Sequence, residues 1–199
     1  MPKDTALLII DMQRDFVDPG HSVQMLGARA TVSTIRRVLD AFRGAGLPVF
    51  HVIRRYRPDA SDVEITRREA FIREGGFIVP GTPGAEIVDE LQPQDGEYVI
   101  VKPRWSGFFL TELLLILSRL GVRRVVLTGT TTPNCIRTTA YDAVAYDFET
   151  IVLLDGTSSN SEDIQQANLR DMANIGVKVV SAAELLERLA VLEAHFRGG

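Results

Sequence analysis

The sequence predicts an α/β domain built on an open, doubly wound sheet, and three observations carry the prediction. Six short apolar runs rich in Val, Ile and Leu recur along the chain and hardly alternate in polarity, as strands covered on both faces do. Longer stretches with apolar residues at helical spacing separate these runs. The repeated order of strand, helix and strand implies right-handed crossovers, with helices on both faces of one sheet.

The elements follow in order. The first strand is 6–10 (ALLII), closed by Asp11, and a helix over 28–45 comes next. Gly46-Leu47-Pro48 stops that helix and opens the second strand, 47–53. The third strand is 98–101, followed by a helix over 108–120. Strands at 124–129, 150–155 and 177–180 each lead into a helix, over 134–146, 161–174 and 182–195. The last helix has an apolar stripe fit to pack on the domain or on a partner. No internal repeat or low-complexity tract appears, so residues 1–199 read as one domain. The departure is the stretch 55–96, which holds four of the nine prolines. Within it, Ser61-Asp62-Val63-Glu64 has capping-box spacing and Gly75-Gly76 follows a charged run, so a short helix is expected near 61–74. Excursions of this length in compact domains serve as lids or as interfaces.

Composition narrows the function. With 45% hydrophobic and 24% charged residues, the chain is neither disordered nor collagen-like. Lys and Arg number 22 against 26 Asp and Glu, a net charge of −4, which gives no basic excess to suit nucleic acid or an anionic membrane. No apolar run approaches the roughly 20 residues of a membrane span, and Asp11 cuts the first run too short for a secretory signal. One cysteine excludes an intrachain disulfide and any multi-cysteine metal site, and suits a reducing compartment; a cytoplasmic address is expected. The three histidines, His21, His51 and His195, cannot form H-E-x-x-H, and the P-loop, G-x-G-x-x-G and G-x-S-x-G patterns are absent.

In open α/β sheets ligands bind beyond the carboxyl ends of the strands. Three reactive groups fall there: Asp11 after the first strand, Lys102 after the third, and Cys135 after the fourth, at the start of a helix. A helix N-terminus favours an anion and a nearby Lys102 favours thiolate, the nucleophilic form of cysteine. Asp11 is placed to move protons. Taken singly, each has an ordinary role: a free cysteine is commonly a small buried hydrophobe, and Asp11 a cap or an ion-pair partner for Lys102. Their shared strand-end placement raises the functional reading of all three.

These residues also carry a family likeness. LLIIDMQRDFVDPG (7–20), HVIRRYRPDASDVE (51–64), VIVKPRWSGFFLTEL (99–113), LTGTTTPNCIRTTAYDA (127–143) and the stretch around DGTSSNSEDIQ (155–165) resemble, in order, the isochorismatase-like cysteine hydrolases. That superfamily includes nicotinamidases, N-carbamoylsarcosine amidase and biuret-type amidohydrolases. The resemblance implies a three-layer α/β/α domain with a six-stranded, mostly parallel Rossmann-like sheet. It implies a catalytic triad of Asp11, Lys102 and Cys135, a cis peptide between Thr130 and Thr131, and an oxyanion hole from the N–H groups of Thr131 and Cys135. It further implies a cysteine-dependent amidohydrolase that cleaves a C–N bond of a small amide, ureide or N-carbamoyl compound through a thioester. A homo-oligomer, dimer or tetramer, is expected from the same likeness. Nicotinamidases carry a metal-binding Asp-x-His after the second strand. Here the segment reads Asp59-Ala60-Ser61, which argues against a metal, and no cofactor is implied. Isochorismatases proper lack the cysteine, so Cys135 points to C–N hydrolysis.

Candidate substrate contacts are Phe16, Trp105 and Phe108, which resemble the family's apolar pocket wall, and Gln13 and Gln165, which suit hydrogen bonds to an amide or ureide. Arg54, Arg55 and Arg57 form a basic cluster from which one is a candidate to read a substrate carboxylate. Three rivals stand against this reading. One is a papain-like pair of Cys135 with His51, although a lone histidine inside a strand is more commonly a satisfied core residue. Another is a thiol redox or sensor protein using Cys135, weakened by the absence of a resolving cysteine. The last is a non-catalytic binding member of the same fold.

Overall fold

The computed structural model describes residues 4–197, with side chains described for residues 4–189. The strands are β1 (Thr5–Ile10), β2 (Val49–Arg54), β3 (Tyr98–Lys102), β4 (Arg124–Thr130), β5 (Glu149–Ser158) and β6 (Lys178–Val180). The helices are α1 (Arg14–Val17), α2 (Ala28–Gly44), α3 (Ile65–Arg73), α4 (Leu113–Arg119), α5 (Arg137–Ala145), α6 (Glu162–Asn174) and α7 (Ala182–Arg197). The strands form one six-stranded sheet in the order β3-β2-β1-β4-β5-β6, and every neighbouring pair is parallel.

The side-chain alternation of the strands sorts two cores onto two faces. Leu7 and Ile9 of β1, Val49 and Ile53 of β2 and Val126 of β4 join a core covered by α2 and the start of α7, with Val32, Ile35, Leu39, Phe42 and Leu185 as its helix side. Ala6, Leu8 and Ile10, with Phe50, Val52, Val125 and Leu127, join a second core under α4, α5 and α6. The side chains of α7 beyond Leu189, part of the stripe expected there, lie outside the described residues. Among those described, Ala182, Leu185 and Leu189 pack on the domain. The strands at the two sheet edges are less covered than their sequences suggest: Val99 and Val101 of β3 are 42% and 39% exposed.

Several boundaries move, each for a local reason. The helix expected over 108–120 begins only at Leu113. Ahead of it, Gly107 N–H donates to Thr139 Oγ1 at 2.9 Å and Leu110 takes a positive φ, so the chain is held to α5 in a non-helical path. The helix expected at 134–146 opens with a wide turn over Thr132–Ile136 before α5 proper. β5 runs on to Ser158 through a bulge opposite Leu127 and Gly129. The helix expected near 61–74 starts at Ile65, and its Glu64 makes no cap hydrogen bond. That carboxylate turns inward instead, to a buried guanidinium that needs an anion more than a helix end needs an acceptor. At the other end, Gly75-Gly76 closes α3 as expected: Gly75 N–H bonds Ile72 and Gly76 N–H bonds Phe71, the paired bonds of a Schellman ending.

The excursion folds down on the first core. Tyr56, Phe71 and Phe77 meet edge to face with ring centroids 5.1–5.8 Å apart. Two residues after β1 pin it there. Gln13 Nε2 donates to the carbonyls of Arg54 and Ala85, both at 2.8 Å, and Asp15 Oδ2 accepts from Ile78 N–H at 2.6 Å.

Candidate active site

The carboxyl ends of four adjacent strands bring the candidate groups together in spatial order: Lys102 from β3, Arg54 from β2, Asp11 from β1 and the turn after β4 that carries Cys135. Arg54 and Lys102 are register partners and share the parity of Val52 and Ile100, so both project toward the α4–α6 layer, where Cys135 stands. This is the crevice where the connections diverge to opposite faces of the sheet, between β1 and β4. The approach of these two strands is tight. A Cβ on Gly129, which has φ +108°, would sit 2.1 Å from the Ile10 carbonyl oxygen, so only glycine fits.

Lys102 Nζ lies 2.8 Å from Asp11 Oδ2 and 3.5 Å from Cys135 Sγ, and donates to the Arg104 carbonyl at 3.2 Å. Arg54 Nη2 lies 3.9 Å from the same sulfur. All four side chains are buried. Apart from the ion pair with Lys102, neither Asp11 carboxylate oxygen has a well-aligned hydrogen-bond partner among the described residues, so it keeps free acceptor capacity beside the thiol.

The thiol stands under opposing influences, of which the helix start and the lysine are only part. Burial pushes the Cys135 thiol up from its ordinary range, and the neighbouring Asp11 charge pushes it further; Lys102 and Arg54 pull the other way without prevailing.

The turn that carries Cys135 is fixed from β5. Thr131 and Thr132 hydroxyls donate to the Ser158 carbonyl at 3.1 and 3.0 Å, and Ser158 Oγ donates to Thr130 Oγ1 at 3.0 Å. The Thr130–Thr131 peptide is cis. A pocket of about 130 Å³ opens over the sulfur, with Asp11, Phe16, Met25, Arg67, Asn134 and Asn160 among its walls.

The other candidates part company. Phe16 lines this pocket. Phe108 does not: it packs in the second core against Phe148 and Tyr146, at centroid distances of 5.9 and 5.4 Å. Trp105, 39% exposed, borders a shallow groove with Arg137 and Tyr141 instead. Gln13 is spent on the excursion, its Oε1 accepting from Arg54 N–H at 2.8 Å and its Nε2 on two carbonyls. Gln165 Nε2 turns to Thr157, and its side chain faces a different depression. Arg54 is buried and paired with Glu64, while Arg55 and Arg57 are exposed and line no part of the pocket. His51 is on the opposite face of the sheet from Arg54, buried, with Nε2 2.9 Å from Glu97, in keeping with a core histidine. Asp59 Oδ1 accepts from Ser61 N–H at 3.0 Å, a local turn contact. Among the described residues no three His, Cys, Asp or Glu side chains gather as a metal would require.

Sequence reasoning missed Arg67, Met25, Asn134 and Asn160 as pocket walls. Asn134, next to the nucleophile candidate on a strand-end turn, was within its reach. Arg67 gave no signal, since Ile65–Arg73 reads as a solvated charged helix.

The isochorismatase-domain model matches residues 5–184. A probable inactive nicotinamidase of Arabidopsis thaliana is 42% identical over 191 residues, covering 94% of this chain and 97% of its own. A ureidoacrylate amidohydrolase of Rhizobium rhizogenes is 32% identical, over 84% of this chain and 76% of its own. The crystal structure of an isochorismatase family protein from Desulfovibrio vulgaris superposes with a TM-score of 0.90 at 44% identity, covering 94% of this chain and 98% of that one. Sheet order, strand-end site and these matches agree, and the chain belongs to the isochorismatase-like hydrolase family.

Proposed function

We propose that the protein is a cysteine-dependent amidohydrolase that cleaves a C–N bond of a small amide, ureide or N-carbamoyl compound. One observation carries the reading: buried Lys102 contacts both Asp11 and Cys135 within 3.5 Å, the three come from three strand ends, and Asp11 and Cys135 line a pocket. The amidohydrolase among the relatives supports the reaction class.

In this mechanism Asp11 accepts the Cys135 proton as sulfur adds to the carbonyl carbon. The N–H groups of Thr131 and Cys135 stabilise the tetrahedral oxyanion, a contribution of about 3 kcal/mol per donor in comparable hydrolases. Asp11 returns the proton to the departing ammonia or amine as the C–N bond breaks and the thioester forms. Water then adds to the thioester, giving a proton to Asp11, and the acid leaves as sulfur recovers that proton. Lys102 positions Asp11 through their ion pair and stabilises negative charge on sulfur during both steps. Phe16 supplies the apolar wall. Gln13, Gln165 and Phe108 take no part in substrate binding in this reading; they hold the frame.

The test is ammonia release from a panel of amides, ureides and N-carbamoyl amino acids, run with wild type and Cys135→Ala. Release that vanishes in the variant is expected. Equal release from both would overturn the mechanism. The expected homo-oligomer and cytoplasmic address belong to the same proposal, and light scattering of the purified chain checks the first.

A further inference from the structure

Charges in the site balance almost entirely. Lys102 pairs with Asp11 and Arg54 with Glu64, and burial pushes the Cys135 thiol up. One pocket-lining charge remains. Arg67, half-buried on the first turn of α3, lines the pocket and has no acidic side chain within ion-pair distance among the described residues. Its helix is anchored for the purpose. Glu64, whose side chain grips Arg54 and Tyr56, accepts the Arg67 N–H at its backbone carbonyl at 2.8 Å, so the residue that clamps the excursion to the site also sets the turn carrying Arg67. The remaining polar walls, Thr131, Asn134, Ser159 and Asn160, are neutral.

We infer that Arg67 is the specificity-determining residue of this pocket and that the substrate is a small amide or ureide bearing a carboxylate, which Arg67 binds while its carbonyl lies at Cys135. The inference rests on the amidohydrolase reading and adds the substrate's charge. A guanidinium lining a small pocket offers a carboxylate paired hydrogen bonds that a neutral group cannot use in full. Size agrees: cavities of roughly 150 Å³ take up a molecule the size of benzene, so about 130 Å³ suits a short chain with an amide at one end and a carboxylate at the other.

Two matched pairs test it: succinamate against succinamide, and N-carbamoylglycine against N-carbamoylglycinamide. In wild type, kcat/KM for the better acid is expected to exceed that of its neutral partner by about 10-fold or more. In Arg67→Gln that ratio falls to near one through a rise in KM for the acid, and Arg67→Lys recovers part of it. A wild-type ratio near one, or a ratio unchanged in Arg67→Gln, overturns the inference. Equilibrium binding of the same compounds to Cys135→Ser separates it from the hydrolase reading. Binding of an acid that is lost in Cys135→Ser/Arg67→Gln, without turnover by wild type, sinks the hydrolase reading and keeps Arg67 as the anion contact. No turnover together with no binding of either acid at 10 mM overturns the Arg67 assignment itself.

Discussion

Cys135 is held between opposing charges, and its reactivity reports on each of them. Burial and Asp11 raise the thiol; Lys102 and Arg54 lower it. Removing the Asp11 charge therefore shifts the thiol's titration downward, and removing Lys102 shifts it upward. The measurement is the rate of iodoacetamide alkylation of Cys135 against pH. Its midpoint lies above that of an ordinary cysteine in wild type, moves to lower pH in Asp11→Asn and to higher pH in Lys102→Met. Turnover follows another rule. Asp11→Asn makes thiolate easier to form yet has no group to carry the proton to the leaving amine, so kcat falls by about 10²-fold or more, the usual scale of general acid–base catalysis. A faster-alkylating and slower-catalysing variant separates proton transfer from thiolate supply. If Asp11→Asn left the alkylation midpoint in place, Asp11 would not be the group that raises the thiol.

At the scale of elements, α3 is tied to the site through one buried cluster. Arg54 Nη1 donates to Tyr56 Oη at 2.6 Å and to Glu64, and Tyr56 Oη donates to Glu64 Oε2 at 2.5 Å. Burial pushes the Glu64 carboxyl up, but Arg54 and the Tyr56 bond bring it below its ordinary value, while burial foremost lifts the Tyr56 phenol to about 12. Glu64→Ala leaves a guanidinium buried without its anion, a loss of about 3–5 kcal/mol in urea unfolding. The double variant Arg54→Met/Glu64→Leu removes both charges and recovers most of that stability, yet it also takes a cation from beside Cys135 and moves alkylation to higher pH. A double variant as unstable as Glu64→Ala would mean that packing, rather than the stranded charge, sets the cost. Sequence made the strands and their order legible because burial on two faces forces continuous apolar runs, and strand ends then placed Asp11, Lys102 and Cys135. The same logic had no purchase on α3. Its nine residues bury only Phe71, and the S-x-x-E spacing pointed Glu64 at the helix end while the tertiary partner Arg54 drew it inward. Gln13 misled in a similar way: beside a catalytic aspartate it reads as a substrate contact, but a strand-end amide with backbone on both sides is the cheapest staple for a long loop.

For the whole molecule, the second buried cluster governs acid stability from the opposite face of the sheet. His51 lies fully buried in β2, and its Nε2 meets Glu97, which also accepts from Arg43 Nε at 2.7 Å and from Gln94 N–H at 2.9 Å. Burial is the largest influence on His51 and lowers it; Glu97 resists, and Arg43 adds to the lowering. The fold thus prefers neutral imidazole, whereas the unfolded chain takes up a proton near pH 6.5. Between that value and the lower folded one, the unfolded state binds more protons, so stability is full above about pH 6.5 and declines on acidification, by at most about 1.4 kcal/mol per pH unit. Glu97 acts in a separate window. Burial pushes it up, but Arg43, the Gln94 N–H and His51 hold it at about 2, so its contribution persists above the ordinary carboxylate range and is lost toward pH 2. Urea unfolding at intervals from pH 7.5 to pH 3 resolves the two. His51→Gln keeps a hydrogen-bonding group for Glu97 and cannot titrate, so it flattens the slope between pH 6.5 and pH 5 while leaving the steeper fall at lower pH. An unchanged upper slope in His51→Gln would show that the fold carries its histidine proton elsewhere, and that the cluster under β2 is a polar contact with no hold on acid stability.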